Sequence, residues 1–184
     1  MHSLNGRAVL ITGASSGIGA ACAYAFAALD ARLLLAARRR DRLEQLAAAI
    51  YARHGVEVRT LALDVRDQPA VEAAIHGLPA AWAPIDILVN NAGLSRGLDK
   101  LHEGKLADWE EMIDTNIKGL LYVSRAVIPG MVARRRGHII NIGSIAGHQV
   151  YPSGNVYSAT KHAVAALTQG MRMDLLGSEV RVST

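Results

Sequence analysis

Tyr157 and Lys161 stand four residues apart in the run Tyr157-Ser158-Ala159-Thr160-Lys161, and a lone serine, Ser144, closes the apolar run ahead of them. On a helix, positions i and i+4 share a face, one turn apart. A phenol held beside an ammonium gives up its proton more readily, because the cation favours the phenolate. Free tyrosine, with a pKa of about 10, is a poor base near neutrality, whereas one with a lysine fixed over it can serve as a general acid/base. The chain has five tyrosines and four lysines, and only this pair has the spacing in the order Tyr-x-x-x-Lys. A surface tyrosine and lysine on an ordinary helix would look the same, so the pair takes its meaning from the elements that position it.

Those elements alternate from end to end. Residues 7–12 (RAVLIT) form a short apolar run, 17–29 an alanine-rich helix, and 32–37 (RLLLAA) a second strand. A helix over 39–54 carries Leu43, Leu46, Ala47 and Ile50 at helical spacing and stops at Gly55. Residues 56–63 alternate as a third strand, 67–76 make a short helix with Pro69 in its first turn, and 85–90 form a continuous apolar strand. A loop over 93–105 leads into a long helix over 106–135, which Pro129 should kink or shorten. A strand over 138–142, a helix over 156–176 and the start of a sixth strand at 179–183 complete the pattern. Repeated βα units with buried, apolar strands predict an α/β fold, a doubly wound parallel sheet of Rossmann type, in one dinucleotide-binding catalytic domain over 1–184. In such sheets ligands bind beyond the carboxyl ends of the strands.

Every other candidate motif follows a strand. Thr12-Gly13-Ala14-Ser15-Ser16-Gly17-Ile18-Gly19 lies between the first strand and the first helix. Its glycines allow a sharp turn and close approach to a pyrophosphate, the helix N-terminus offers free N–H groups, and Ser15 and Ser16 add hydroxyls. The alternative is a tight turn without a ligand. After the second strand, where an NAD-preferring fold usually carries a carboxylate, the chain reads Ala37-Arg38-Arg39-Arg40. Guanidinium groups pair with phosphate through forked hydrogen bonds, and the 2′-phosphate of NADP is the natural partner for Arg38 and Arg39. The other reading is a solvated basic helix start, which the helix dipole disfavours. Asp64-Val65 follows the third strand, where Asp64 either accepts from an adenine amino group or caps the next helix. Asn90-Asn91-Ala92-Gly93 follows the fourth, where Asn91 suits a backbone passing close to a cofactor or an Asx-type turn.

Bulk properties exclude other classes. A net charge of +4 invites a nucleic-acid reading, but Arg38-Arg39-Arg40 and Arg134-Arg135-Arg136 lie far apart and lack interleaved aromatics. The second cluster is expected in a helix's last turn, where cations suit the dipole. No apolar run approaches the roughly 18 residues of a membrane span, and the stretch before residue 8 has no leader-like apolar core. Cys22 is the only cysteine, which excludes a disulfide framework and a cysteine-based zinc site and suits the cytoplasm.

Together, TGASSGIG at 12–19, Asp64, NNAG at 90–93, Asn116, Ser144, Tyr157 and Lys161, in that order, make the chain similar to the short-chain dehydrogenase/reductase family. The stretches LPAAWAPIDILVNNAG, WEEMIDTNIKG and GHIINIG most resemble its NADP-dependent 3-hydroxy acid dehydrogenases, also described as serine or L-allo-threonine dehydrogenases. The resemblance implies NADP as cofactor and a small hydroxy acid or carbonyl compound as substrate. It implies that Tyr157 exchanges a proton with the substrate oxygen, that Lys161 eases this and holds the nicotinamide ribose, and that Ser144 binds the reacting oxygen. Asn116 would help hold a water between Lys161 and solvent. Otherwise Ser144 is a strand-end cap and Asn116 a core amide satisfied by backbone. Family members continue well past Thr184, so the resemblance also implies a sheet cut within its sixth strand and a missing segment over the substrate. It further implies a homodimer or homotetramer built on the helices near 106–135 and 156–176. The same chemistry on a 3-oxoacyl thioester or a steroid-like ketone, or an NADP-binding module without catalysis, stands as the alternative.

Overall fold

The computed structural model describes residues 3–184; Met1 and His2, at the head of the stretch weighed as a leader, lie outside the described residues. Six strands form one parallel sheet: β1 (Ala8–Thr12), β2 (Arg32–Ala37), β3 (Val58–Ala62), β4 (Ile85–Asn90), β5 (Gly137–Asn141) and β6 (Val180–Ser183). They lie in the order β3-β2-β1-β4-β5-β6, so the winding reverses between β1 and β4. β1 and β4 are buried at every residue, whereas the outer β3 is only partly covered.

Side chains along each strand alternate between two cores. Val9, Ile11, Leu33 and Leu35 face α1 (Gly17–Ala27) and α2 (Arg40–His54), against Ala23, Ala27, Leu43 and Ile50. Leu10, Leu34, Leu88 and Ile139 face α3 (Gln68–His76) and α5 (Leu120–Ala133), against Val71, Ile75, Val123 and Met131. The remaining helices are α4 (Leu106–Ile113) and α6 (Asn155–Asp174). None of the helices among the described residues is long and apolar enough to cross a membrane.

Three local expectations are corrected. The single helix over 106–135 is three pieces: α4, a π-helical segment Asp114–Gly119, and α5. The irregularity falls at Asn116 and not at Pro129, through which α5 runs to Ala133. Asp67, not Asp64, caps α3 by accepting from the Ala70 N–H at 3.0 Å. Arg134, Arg135 and Arg136 lie just past α5, where they bind the Ile85 carbonyl, Glu179 and Asp86 at the amino ends of the strands. Helical periodicity carries no information about these partners, which are local at Asp67 and distant at Arg134, Arg135 and Arg136.

Candidate active site

The glycine-rich turn between β1 and α1 is fixed from behind by the end of β4. Asn91 Nδ2 donates to the carbonyls of Thr12 (2.8 Å) and Gly13 (3.2 Å), and Thr12 Oγ1 accepts from the Asn91 and Ala92 N–H groups at 3.0 Å each. Gly13 has a φ of +64°, and a Cβ there would lie 2.9 Å from Ala92 Cα. At Gly19 a Cβ would fall 2.5 Å from Asn91 Nδ2 and 2.6 Å from the Gly13 carbonyl. These glycines let turn, helix and β4 close on one another. Among the described residues no side chain caps α1, so the N–H groups of its first turn are left open beside the turn.

Two adjoining cavities run along the carboxyl edge of the sheet. The first, about 260 Å³, is lined by Gly13, Ser15, Ser16, Arg38, Arg39, Asp64 and Val65. The second, about 320 Å³, is lined by Gly17, Ile18, Asn91, Ile142, Tyr157 and Lys161; Gly13, Ser16, Ala92, Gly93 and Leu94 belong to both. A further hollow of about 330 Å³ holds Ser144 with Lys161. Sequence-predicted residues from five strand ends and α6 thus meet on one side of the molecule. Gly19 stands behind the turn and lines neither of the first two cavities, and the Asn116 side chain is also outside them.

In the first cavity, Arg39 Nη2 donates to Ser15 Oγ (3.0 Å) and Ser16 Oγ (2.9 Å), which draws α2's start onto the glycine-rich turn. Asp64 takes three bonds from the Arg66 side chain, the shortest 2.6 Å. Burial alone would push the Asp64 carboxyl up, but the bonds and charge of Arg66, with the charge of Arg38, hold it below its ordinary value.

In the second, Tyr157 occupies the first turn of α6 and Lys161 the second, on one face. Lys161 is 7% exposed; its Nζ donates to the Ile142 carbonyl at 2.8 Å and lies 5.9 Å from the Tyr157 ring centroid. Burial lowers the ammonium's pKa from its ordinary value. Ser144 Oγ accepts from the Ala146 N–H at 3.1 Å and so caps the 3-10 turn Ile145–Gly147 that follows, not the end of β5. Asn116 is a buried, satisfied amide: Oδ1 accepts from Leu94 N, and Nδ2 donates to Leu94 O and to Thr160 Oγ1, which itself donates to the Tyr157 carbonyl. Both amide hydrogens are in use, which leaves the side chain no donor for a water.

Sequence reasoning missed Thr12, Thr160, Arg66 and Glu111. Thr12 heads the glycine-rich motif and Arg66 follows Asp64 by two residues, so both had a local signal. Thr160 and Glu111 act through contacts 44 residues and tens of residues away and had none.

A parallel sheet in this strand order, with a glycine-rich turn, basic residues after β2 and a Tyr/Lys pair at its carboxyl edge, defines a dinucleotide-dependent dehydrogenase. The short chain dehydrogenase family model matches residues 7–184, and the chain belongs to that family of oxidoreductases. It is 49% identical over 175 residues to the NADP-dependent 3-hydroxy acid dehydrogenase of Salmonella typhi, covering 95% of this chain and 69% of that one. The crystal structure of serine dehydrogenase from Escherichia coli superposes with a TM-score of 0.89 at 46% identity, covering 95% of this chain and 79% of that one. A metagenomic short-chain oxidoreductase in complex with NADP superposes with a TM-score of 0.93 at 39% identity, covering 98% and 81%.

Proposed function

We propose that the chain transfers hydride between NADP and a small 3-hydroxy acid of the serine or L-allo-threonine type, with Tyr157 as the acid/base. The observation that carries this reading is the buried Lys161 ammonium held over the Tyr157 ring in a cavity continuous with the glycine-rich turn. The named relatives support the substrate class and the cofactor.

The walls fit the cofactor. Gly13 and Gly19 leave no room for side chains behind the turn, while a Cβ on Gly17 would meet nothing within 4 Å, so the turn is closed on the protein side and open toward the cavity. The uncapped α1 start suits the pyrophosphate, with Gly13, Ser16, Gly17, Ile18 and Gly19 shaping the cradle and Asn91 bracing it. Arg38 and Arg39, with the Ser15 hydroxyl, suit the 2′-phosphate, and Asp64 and Val65 suit the adenine. When bound, the nicotinamide supplies or accepts the hydride.

The remaining chemistry belongs to the chain. Tyr157 Oη moves the proton to or from the substrate oxygen. Ser144 uses an acceptor lone pair on Ala146 N–H, so its own hydroxyl hydrogen is free to donate to that oxygen. Lys161 commits one of its three hydrogens to Ile142 and keeps two for the ribose. Asn116 fixes Leu94, a wall of both cavities, and so works as a positioning residue. Homo-oligomerisation through α4, α5 and α6 belongs to the same proposal.

The test is Tyr157→Phe, assayed with NADP against serine and 3-hydroxyisobutyrate, with acyl thioesters as the contrasting substrates. Turnover of the hydroxy acids should vanish while NADPH binding stays near that of the parent protein. A Tyr157→Phe protein that retains near-normal turnover refutes the mechanism, and a preference for the thioesters refutes the substrate class.

A further inference from the structure

Glu111, on α4, gathers three arginines from the loops that follow three different strands. Arg96, after β4, donates from Nε to Glu111 Oε2 at 2.8 Å. Glu111 Oε1 lies 3.7 Å from Arg38 Nη1, after β2, and 3.7 Å from Arg66 Nη1, after β3. The Glu111 side chain is 21% exposed and the Arg38 side chain 54%. The Arg96 hydrogen bond holds the Glu111 carboxyl below its ordinary range, so the charge is present at neutral pH.

We infer that Glu111 is a positioning residue that holds Arg38 at the mouth of the nucleotide cavity and so strengthens the preference for NADP over NAD; this rests on the reading of Arg38 given above. Three features favour it over an incidental ion pair. Glu111 is itself anchored, through the short Arg96 bond, and offers a fixed charge. Arg66 is committed to Asp64, whereas the Arg38 guanidinium makes no hydrogen bond among the described residues and is drawn to Glu111 at a distance too long for one. Its donors are therefore available to a ligand without a bond being broken. Finally, Arg38 lines the cavity and Glu111 does not, so a ligand there meets the guanidinium and not the carboxylate. An arginine side chain is rich in rotamers, and holding it beforehand reduces what phosphate binding must order.

The opposing effect is repulsion between Glu111 and the phosphate. It has the opposite sign, which makes the experiment decisive. Dissociation constants for NADPH and NADH are measured by fluorescence titration on the parent protein, Glu111→Gln, Glu111→Asp, Arg38→Ala and the Glu111→Gln/Arg38→Ala double variant. Glu111→Gln should weaken NADPH by about two- to fivefold, the scale of a half-exposed pair, and leave NADH unchanged. It should add nothing once Arg38 is alanine, and Glu111→Asp, which keeps the charge, should restore most of the preference. Tighter NADPH binding in Glu111→Gln, an equal change in both cofactors, the same loss without Arg38, or a Glu111→Asp as impaired as Glu111→Gln overturns the inference. If Arg38→Ala itself leaves the NADPH/NADH ratio unchanged, the 2′-phosphate reading fails; if it shifts the ratio while Glu111→Gln is silent, only the role of Glu111 fails.

Discussion

Arg38 and Arg39 are adjacent, yet they are held differently. Arg39 spends its donors on Ser15 and Ser16 and ties α2 to the glycine-rich turn. Arg38 reaches outward to Glu111 and keeps its donors free. A phosphate at this edge would displace hydroxyls from Arg39 and meet Arg38 directly, so both side chains should contribute to cofactor choice by different routes. A charge-assisted hydrogen bond contributes about 1.5–3 kcal/mol, so Arg38→Asp or Arg39→Asp should lower the NADP-to-NAD ratio of kcat/KM by about ten- to hundredfold. Steady-state kinetics with both cofactors checks this, and unchanged discrimination in both variants would remove the 2′-phosphate site. The residue types alone made this edge legible, since a basic run stands where a carboxylate would select NAD. What each side chain holds was not legible. Asp64 and Asp67 are equally plausible caps by composition, and only the bond to Ala70 assigns the cap to Asp67 and leaves Asp64 facing the cavity.

At the scale of elements, apolar runs placed all six strands, because a strand buried on both faces has little freedom in composition. The ends of the helices and the interruption at Asp114–Gly119 were not placed, because a π-helical turn keeps the apolar pattern of the helix around it. That interruption carries Asn116 inward, to Leu94 on one side and Thr160 on the other. The loop after β4 and the first turns of α6 are thereby fastened to one amide, and α6 carries Tyr157 and Lys161. Gly93 belongs to the same junction, since a Cβ there would lie 3.2 Å from Asn116 Oδ1 and 3.8 Å from Lys161 Nζ. Asn116→Ala would strip a partner from both backbone groups of Leu94 at a part-buried site, which costs about 1–3 kcal/mol. Urea unfolding should show that loss, and turnover should fall further than NADPH affinity as the Leu94 wall and α6 lose their common anchor. Unchanged stability would mean that the amide is not the fastening it is taken to be.

Across the whole molecule the two arginine clusters lie at opposite ends of the sheet and do different work. Arg38 and Arg39 stand at the carboxyl edge with the cavities. Arg136 stands at the amino edge, where it and Arg7 converge on Asp86, whose side chain is 6% exposed and also accepts from the Ala8 N–H at 3.0 Å. This hub joins the start of β1, the start of β4 and the segment entering β5, and it holds no residue of the candidate site. Breaking a buried ion pair can cost about 3–5 kcal/mol when the remaining charge stays buried. Here Arg7 and Arg136 are 39% and 55% exposed and can turn to water, so the loss reduces to an unpartnered backbone N–H and weaker tethering. Asp86→Ala should therefore destabilise the fold by about 1–3 kcal/mol. At temperatures where the variant remains folded, NADPH affinity and turnover should match the parent protein, because the two ends are separated by the full length of closely packed, buried strands such as β1 and β4. Thermal melts and kinetics on the same preparation check both halves: a variant with an unchanged melting temperature, or one that is fully folded yet impaired in NADPH binding, would contradict this separation of the stabilising end from the reacting end.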